Sequence, residues 1–291
     1  MAPGTSGQDL LYVAAWPGHG AVYVYSYPKS HLVGTLTGFY MPFGECSDSS
    51  GDVFVVALAN SSSRSSTIYE YAHGGTSPIA TLSDPDFAWG CAVDPLTGNL
   101  AVSGGISVAI YQHASGAPTI YSNSEFHFFY CGYDDRGNLY LSSNDYRYAD
   151  RAQLVRLASG SNQFEQVDLS RKVYTGQVLP SVQWDGNHMT ISSDIGREPI
   201  SIYRLRISGS AGTVVGTTTI RSQKNVYSGQ MWIQGSTFLG AGNDPGDRGQ
   251  KFFFWRYPKG GAPYRTIRNL GAGRVGSREA SGVTVSVAAP R

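Results

Sequence analysis

Charge is scarce in this chain: Asp, Glu, Lys and Arg make up 15% of its 291 residues, against the roughly 25% of an average globular protein. The 22 Lys and Arg nearly balance the 21 Asp and Glu, leaving a net charge of +1. No overall field draws in nucleic acid or an anionic bilayer, so neither is an expected partner. No apolar run approaches the roughly 20 residues of a membrane helix. Sustained 3.6-residue periodicity is missing too, which leaves little room for helix. His-Glu-x-x-His and Gly-x-Ser-x-Gly do not occur, so neither a zincin nor a nucleophile elbow is supported. There are three cysteines and no Cys-x-x-Cys pair, which argues against a structural zinc site. Residues 271–276 spell the dinucleotide-binding glycine pattern, but without the preceding strand and following helix that give it a phosphate-binding mechanism.

What the chain has in abundance is glycine, 36 residues, and tyrosine, 19, and they fall into a repeat. In each copy an apolar stretch ends in Asp or a similar polar residue, a turn closes on Gly, and an alternating strand follows. Clear copies occupy residues 44–56, 90–102 and 130–141, and degenerate ones occupy 181–191 and 230–239. The turn glycines, Gly51, Gly98, Gly137, Gly186 and Gly235, lie 39 to 49 residues apart. A hairpin loop that needs one residue at positive φ selects Gly there. A third strand rich in Tyr, Val and Ile follows each hairpin, as in residues 67–71 and 108–111, and then a shorter fourth strand. Four short strands per period of 40 to 50 residues predict β-propeller blades.

The chain ends complement each other. Residues 10–13 match the second strand of the repeat with no first strand before them, and residues 281–287 match that missing first strand. The fold expected is therefore all-β: one domain over 1–291, a six-bladed β-propeller of four-stranded blades. Residues 1–9 form a flexible lead, and the strand at 281–287 closes the ring beside the N-terminal strands, leaving no open edge. A β-sandwich, the alternative, gives no reason for the termini to match.

The first strand ending in Asp, the Gly-Asn or Gly-Asp turn and the strand after it resemble the six-bladed propellers of the NHL-repeat group and of the gluconolactonase, regucalcin and paraoxonase group. The resemblance covers nearly the whole chain as architecture. It implies a central channel with ligands at its mouth and, in the hydrolase branch, a divalent cation there. Aligning the ends of the second strands places Trp16, Leu58, Gly105, Asn144, Asp194 and Asn243 at one phase. By that resemblance Asn144, Asp194 and Asn243, with Glu45 or Glu279 from an innermost strand, would hold Ca²⁺, a cation that favours such oxygens. As turn formers, the same Asn and Asp residues need no metal.

The loops before the first strands are aromatic. Phe43, Phe87, Trp89, Phe128 and Tyr227, with Trp16 from the opposite loop, are the candidate ligand contacts; filling the wedges between blades is their alternative role. A rim of this kind suits a small molecule, a carbohydrate, a peptide or a protein. His19 and His127 are the candidate general bases. Cys91 and Cys131 share a phase and Cys46 is one residue out of it. Sheets stacked about 10 Å apart are too distant for a disulfide, so three free buried thiols are expected. Arg248, Lys251, Arg256, Lys259, Arg265, Arg268, Arg274 and Arg278 read as a solvated outer face or a docking patch for an anionic partner. Two functions are expected: a non-catalytic binding module, or a Ca²⁺-dependent hydrolase of lactones or esters. A purely architectural role is a third possibility. Low charge and the form of the N-terminal residues point to an exported, monomeric protein, secreted or periplasmic, whereas unpaired thiols would suit the cytoplasm.

Overall fold

The computed structural model describes residues 1–2, 5–16, 19–145, 148–175, 179–193, 199–221, 229–242, 251–268, 270 and 279–289, without the side chains of Trp16, His19, Asp145, Tyr148, Ala149, Asp150 and Glu279. The protein is all-β and 2% helical. Among the described residues no helix is long and apolar enough to cross a membrane.

The first sheet runs through β1 (Leu10–Trp16), β2 (His19–Ser26), β3 (Leu32–Ser47), β4 (Val53–Leu58), β5 (Ser66–Tyr71) and β6 (Ala80–Asp84). The second holds β7 (Gly90–Val93), β8 (Leu100–Gly104), β9 (Ser107–Tyr111) and β10 (Thr119–Ser122). The third begins with β11 (Phe128–Tyr133), β12 (Leu139–Asp145), β13 (Tyr148–Leu157) and β14 (Phe164–Leu169), with the short β15 (Val173–Tyr174) beside β13. It continues through β16 (Val182–Trp184), β17 (Met189–Ser193), β18 (Ile200–Ser208) and β19 (Ala211–Ile220), because β14 and β19 pair in parallel. The fourth comprises β20 (Trp232–Gln234), β21 (Thr237–Gly242), β22 (Lys251–Arg256) and β23 (Arg265–Arg268). The last strand, β24 (Glu279–Ser286), returns to pair antiparallel with β1 in the first sheet, Val283 opposite Val13 and Val285 opposite Leu11.

The hairpins form as their residues dictate. Gly51, Gly98, Gly137, Gly186 and Gly235 all have positive φ, from 55° at Gly235 to 96° at Gly186. The Asp before each of the first four turns caps it: Asp48, Asp94, Asp134 and Asp185 each accept a backbone N–H from the residue two ahead. These Asx turns satisfy turn amides that would otherwise face no acceptor. Gln234 takes the equivalent place in the fifth turn, where its Oε1 accepts from Trp232 Nε1 at 3.2 Å.

The innermost strands follow one another in a cycle: β24 packs on β3, β3 on β7, β7 on β11, β11 on β16, and β20 touches both β16 and β24. Clusters of buried hydrophobic side chains join each successive pair of strand groups. One of them joins the end of the chain to its beginning, with Leu239, Phe252 and Phe254 packed among Leu11, Tyr23 and Val283.

One expectation is overturned. Cys46 and Cys91 form a disulfide, with Cα atoms 5.6 Å apart. The 10 Å separation applies to sheets stacked face to face, whereas β3 and β7 converge as innermost strands. Glycines make that approach possible, since a Cβ on Gly44 would lie 2.5 Å from the Gly90 Cα. Cys131 is free and buried. Unfolded without reductant, the protein should therefore titrate as one thiol, rising to three after reduction. Cys46→Ser should lower unfolding free energy by about 2–4 kcal/mol through loss of the cross-link. Three thiols in unreduced protein would refute the bridge.

Candidate functional site

Both ends of the innermost strands carry a feature, and a packed layer separates the two. In that layer Gly90 leaves space that the Tyr130 ring occupies: a Cβ on Gly90 would come within 2.7 Å of it. Burial pushes the Tyr130 hydroxyl above its ordinary range, and a hydrogen bond to the backbone of Gln230 partly opposes this. Gln230 Oε1 accepts from the Glu45 N–H at 2.7 Å, and the Gln230 N–H donates to the Ser281 carbonyl at 2.9 Å. Ser281 Oγ in turn donates to the Pro42 carbonyl at 2.6 Å. Tyr130 and Gln230, both buried, thus tie β3, β11 and β24 to the segment before β20.

At the loop end, within β3, just before β7 and around the start of β11, the aromatic side chains form a continuous cluster. The Phe43 and Phe87 ring centroids are 5.0 Å apart, Phe43 and Trp89 5.2 Å, and Phe87 and Trp89 4.7 Å. Trp89 reaches Phe129 at 6.3 Å, and Phe129 meets His127 at 4.9 Å. Most of these pairs are edge-on or tilted, which suits the ring quadrupoles. Phe87, Trp89 and His127 are half-buried and Phe43 is buried. The backbone holds them there: the Ala88 N–H donates to Ser66 Oγ, the Trp89 N–H to the Ser103 carbonyl, and Ser103 Oγ to the Phe129 carbonyl. Burial lowers the affinity of His127 for a proton, which favours its neutral imidazole.

Of the expected rim residues, Phe43, Phe87 and Trp89 meet in this cluster. Phe128 lies fully buried in the core, tilted against Phe126 and Phe164, because alternation along β11 turns it away from its neighbour Phe129. Its role there is packing. Tyr227, Asp194 and Asn243 lie outside the described residues, as do the side chains of Trp16, His19 and Glu279. Of the basic residues described on the last sheet, Arg256, Lys259, Arg265 and Arg268 are exposed and Lys251 is half-buried. Arg256 stacks over Tyr264 at 5.3 Å, as on a solvated outer face.

Two of the residues proposed to hold Ca²⁺ have described side chains. Glu45 is completely buried; its Oε2 accepts from the Ala14 N–H at 3.2 Å and its Oε1 has no hydrogen-bond partner. Desolvation pushes its carboxyl up to about 8. Asn144, half-buried at the end of β12, also has an Oδ1 without a partner. Among the described residues, no group of three or more His, Cys, Asp or Glu side chains is placed to hold a metal ion.

The feature that sequence reasoning missed lies at the turn end. A cavity of about 160 Å³ opens there between β3, β7, β11, β16 and β20. Tyr133, Trp184 and Trp232 line it, together with the Cys46–Cys91 bridge, Cys131 and Met231. Trp184 ends β16 in the phase where the clear copies of the repeat carry Ser47, Val93 and Tyr133, and Trp232 opens β20 one residue before that phase, so only the bulk of Tyr133 and Trp184 just before the turn was an available signal.

Comparison with known proteins adds fold information. No protein-family model matches the chain, and no curated protein sequence matches it. A solved structure of Kuenenia stuttgartiensis hydrazine synthase is similar in fold, with a TM-score of 0.53 and 12% identity, over 80% of this chain and 70% of that one.

Proposed function

We propose that the chain is a six-bladed β-propeller serving as a non-catalytic binding module, with a carbohydrate, peptide or protein ligand seated on the aromatic cluster at the loop end. The cyclic succession of innermost strands and the pairing of β24 with β1 support the architecture. So does the likeness to hydrazine synthase, a β-propeller-containing protein. The observation that carries the binding role is the continuous cluster of Phe43, Phe87, Trp89, Phe129 and His127, drawn from three successive strand groups and half-exposed at Phe87 and Trp89. Rigid half-exposed rings offer contact area at low entropic cost, and an uncharged cluster suits an uncharged ligand face. The Cys46–Cys91 bridge supports export to an oxidising compartment.

A Ca²⁺-dependent hydrolase is the second reading, favoured by the unpartnered Glu45 Oε1 and Asn144 Oδ1. Buried polar atoms without partners call for an explanation, and a bound ion is one. One experiment separates the two readings. Glycan and peptide arrays probed with the protein should yield ligands whose affinity falls at least tenfold in Trp89→Ala while its melting temperature stays within a few degrees. Hits unaffected by Trp89→Ala, or no hits, would overturn the binding-module reading. A chelator-reversible rise in melting temperature with CaCl₂, lost in Asn144→Ala, would favour the hydrolase, since a ligand bound only by the native state stabilises it.

A further inference from the structure

From the cavity at the turn end of the innermost strands, we infer a second binding site, separate from the loop-end cluster, for an uncharged single-ring or fused-ring aromatic molecule. Three observations converge on this. Size is the first. The cavity measures about 160 Å³, close to the roughly 150 Å³ of an engineered apolar cavity that takes up benzene. The Tyr130–Gln230 layer stands between this cavity and the loop end, since Gln230 belongs to that layer and also lines the cavity.

Wall chemistry is the second. None of the lining residues is Asp, Glu, Lys, Arg or His, so a charged ligand would lose its hydration and gain no counter-ion. Cys46, Cys91, Cys131 and Met231 bring sulfur, and Tyr133, Trp184 and Trp232 bring rings. Polarisable sulfur and aromatic edges both favour an aromatic guest. Trp184 and Trp232, half-buried, belong to β16 and β20, which pack on each other.

The state of the polar groups is the third, and it separates an aromatic from a sugar. Ser47 Oγ is bonded to Thr284 Oγ1 and to the Val285 carbonyl. The Gln183 side-chain amide is taken by the backbone of Ile233, donating to its carbonyl at 3.1 Å and accepting from its N–H at 2.5 Å. Trp232 Nε1 donates to Gln234, and Gln230 Oε1 accepts from Glu45. A sugar hydroxyl entering this site would lose water without gaining these partners, a loss that buried polar groups do not tolerate cheaply. An aromatic ring has no such requirement.

The test is titration of the full chain with indole, followed by calorimetry and by thermal shift, with glucose and indole-3-acetate in parallel. Indole should bind at submillimolar to millimolar concentration and raise the melting temperature, and glucose and indole-3-acetate should bind at least tenfold more weakly. Trp184→Ala and Trp232→Ala should each weaken indole at least tenfold, and Trp89→Ala should leave it unchanged. The last arm keeps this site distinct from the loop-end cluster, whichever way that reading falls. If either variant unfolds, Trp184→Phe and Trp232→Phe replace it, with a smaller loss expected. The inference is overturned by saturation with glucose in preference to indole, by no indole binding at several millimolar, or by binding that depends on Trp89 and not on Trp184 or Trp232.

Discussion

A chain ending at residue 278, and so lacking β24, should show no cooperative thermal transition. The strand pairs with β1 along its length and buries Val283 and Val285, each 1% exposed. The burial of two such side chains contributes about 1.5–3 kcal/mol each, and it is lost with the strand. Polar groups lose partners as well: Ser281 Oγ from Pro42, Thr284 Oγ1 from Ser47, and Ser286 Oγ from Gly51 and His73. Every buried donor or acceptor left unsatisfied adds about 1–3 kcal/mol. Together these losses rival the roughly 5–15 kcal/mol by which a native domain is stable. The newly bared edge of β1 would also invite pairing between molecules. Circular dichroism during a thermal ramp, with light scattering, reads both effects. A truncated chain that melts sharply within a few degrees of the full one would show that the closing strand is dispensable.

Raising the pH from about 4.5 to 8 should destabilise the protein, and Glu45→Gln should remove most of that slope. Burial lifts the Glu45 carboxyl from its ordinary 4.5 to about 8, so the native state holds a proton that the unfolded chain releases. The stability linked to that proton is complete below the unfolded value and is lost as the pH climbs through the folded one. Each tenfold difference in proton affinity between the two states is worth about 1.4 kcal/mol, so the loss across this window is on the order of several kcal/mol. Asp84, also raised by burial, to about 6, adds a smaller fall in the same direction. In Glu45→Gln the side-chain oxygen still accepts from the Ala14 N–H, while the new amide donor costs a fixed amount at every pH. Chemical denaturation at pH 4.5, 6 and 8 with EDTA present should give a falling series for wild type and a much flatter one for Glu45→Gln. Parallel curves, or wild-type stability rising with pH, would contradict the burial of an ionisable Glu45.

Much of the architecture was legible because each repeat carries its own local instructions. Asp134 and Gly137 specify their turn whatever surrounds them, the one through a carboxylate that caps the turn amides and the other through a φ of 74°. The match between residues 10–13 and 281–287 was legible for the same reason, being a missing strand and a spare one. The parts that escaped depend on how sheets sit relative to one another. The Cys46–Cys91 bridge follows from convergence of β3 and β7, which no local pattern encodes beyond the glycines at 44 and 90. Phe128 and Phe129 are adjacent and equally aromatic, and only the register of β11 sends the first into the core and the second to the cluster. The cavity beside Trp184 and Trp232 exists because five strands end around the same space, so neither tryptophan announces it alone.

Native-state hydrogen exchange of residues 280–286 tests the pairing of β24 with β1 most directly. If β24 is integral to the first sheet, its amides should exchange only through global opening, with the same protection as residues 11–14 of β1, as for the most stable cooperative unit of a fold. Complete exchange of residues 280–286 within seconds, while β1 stays protected, would mean that β24 is not an integral strand of the first sheet.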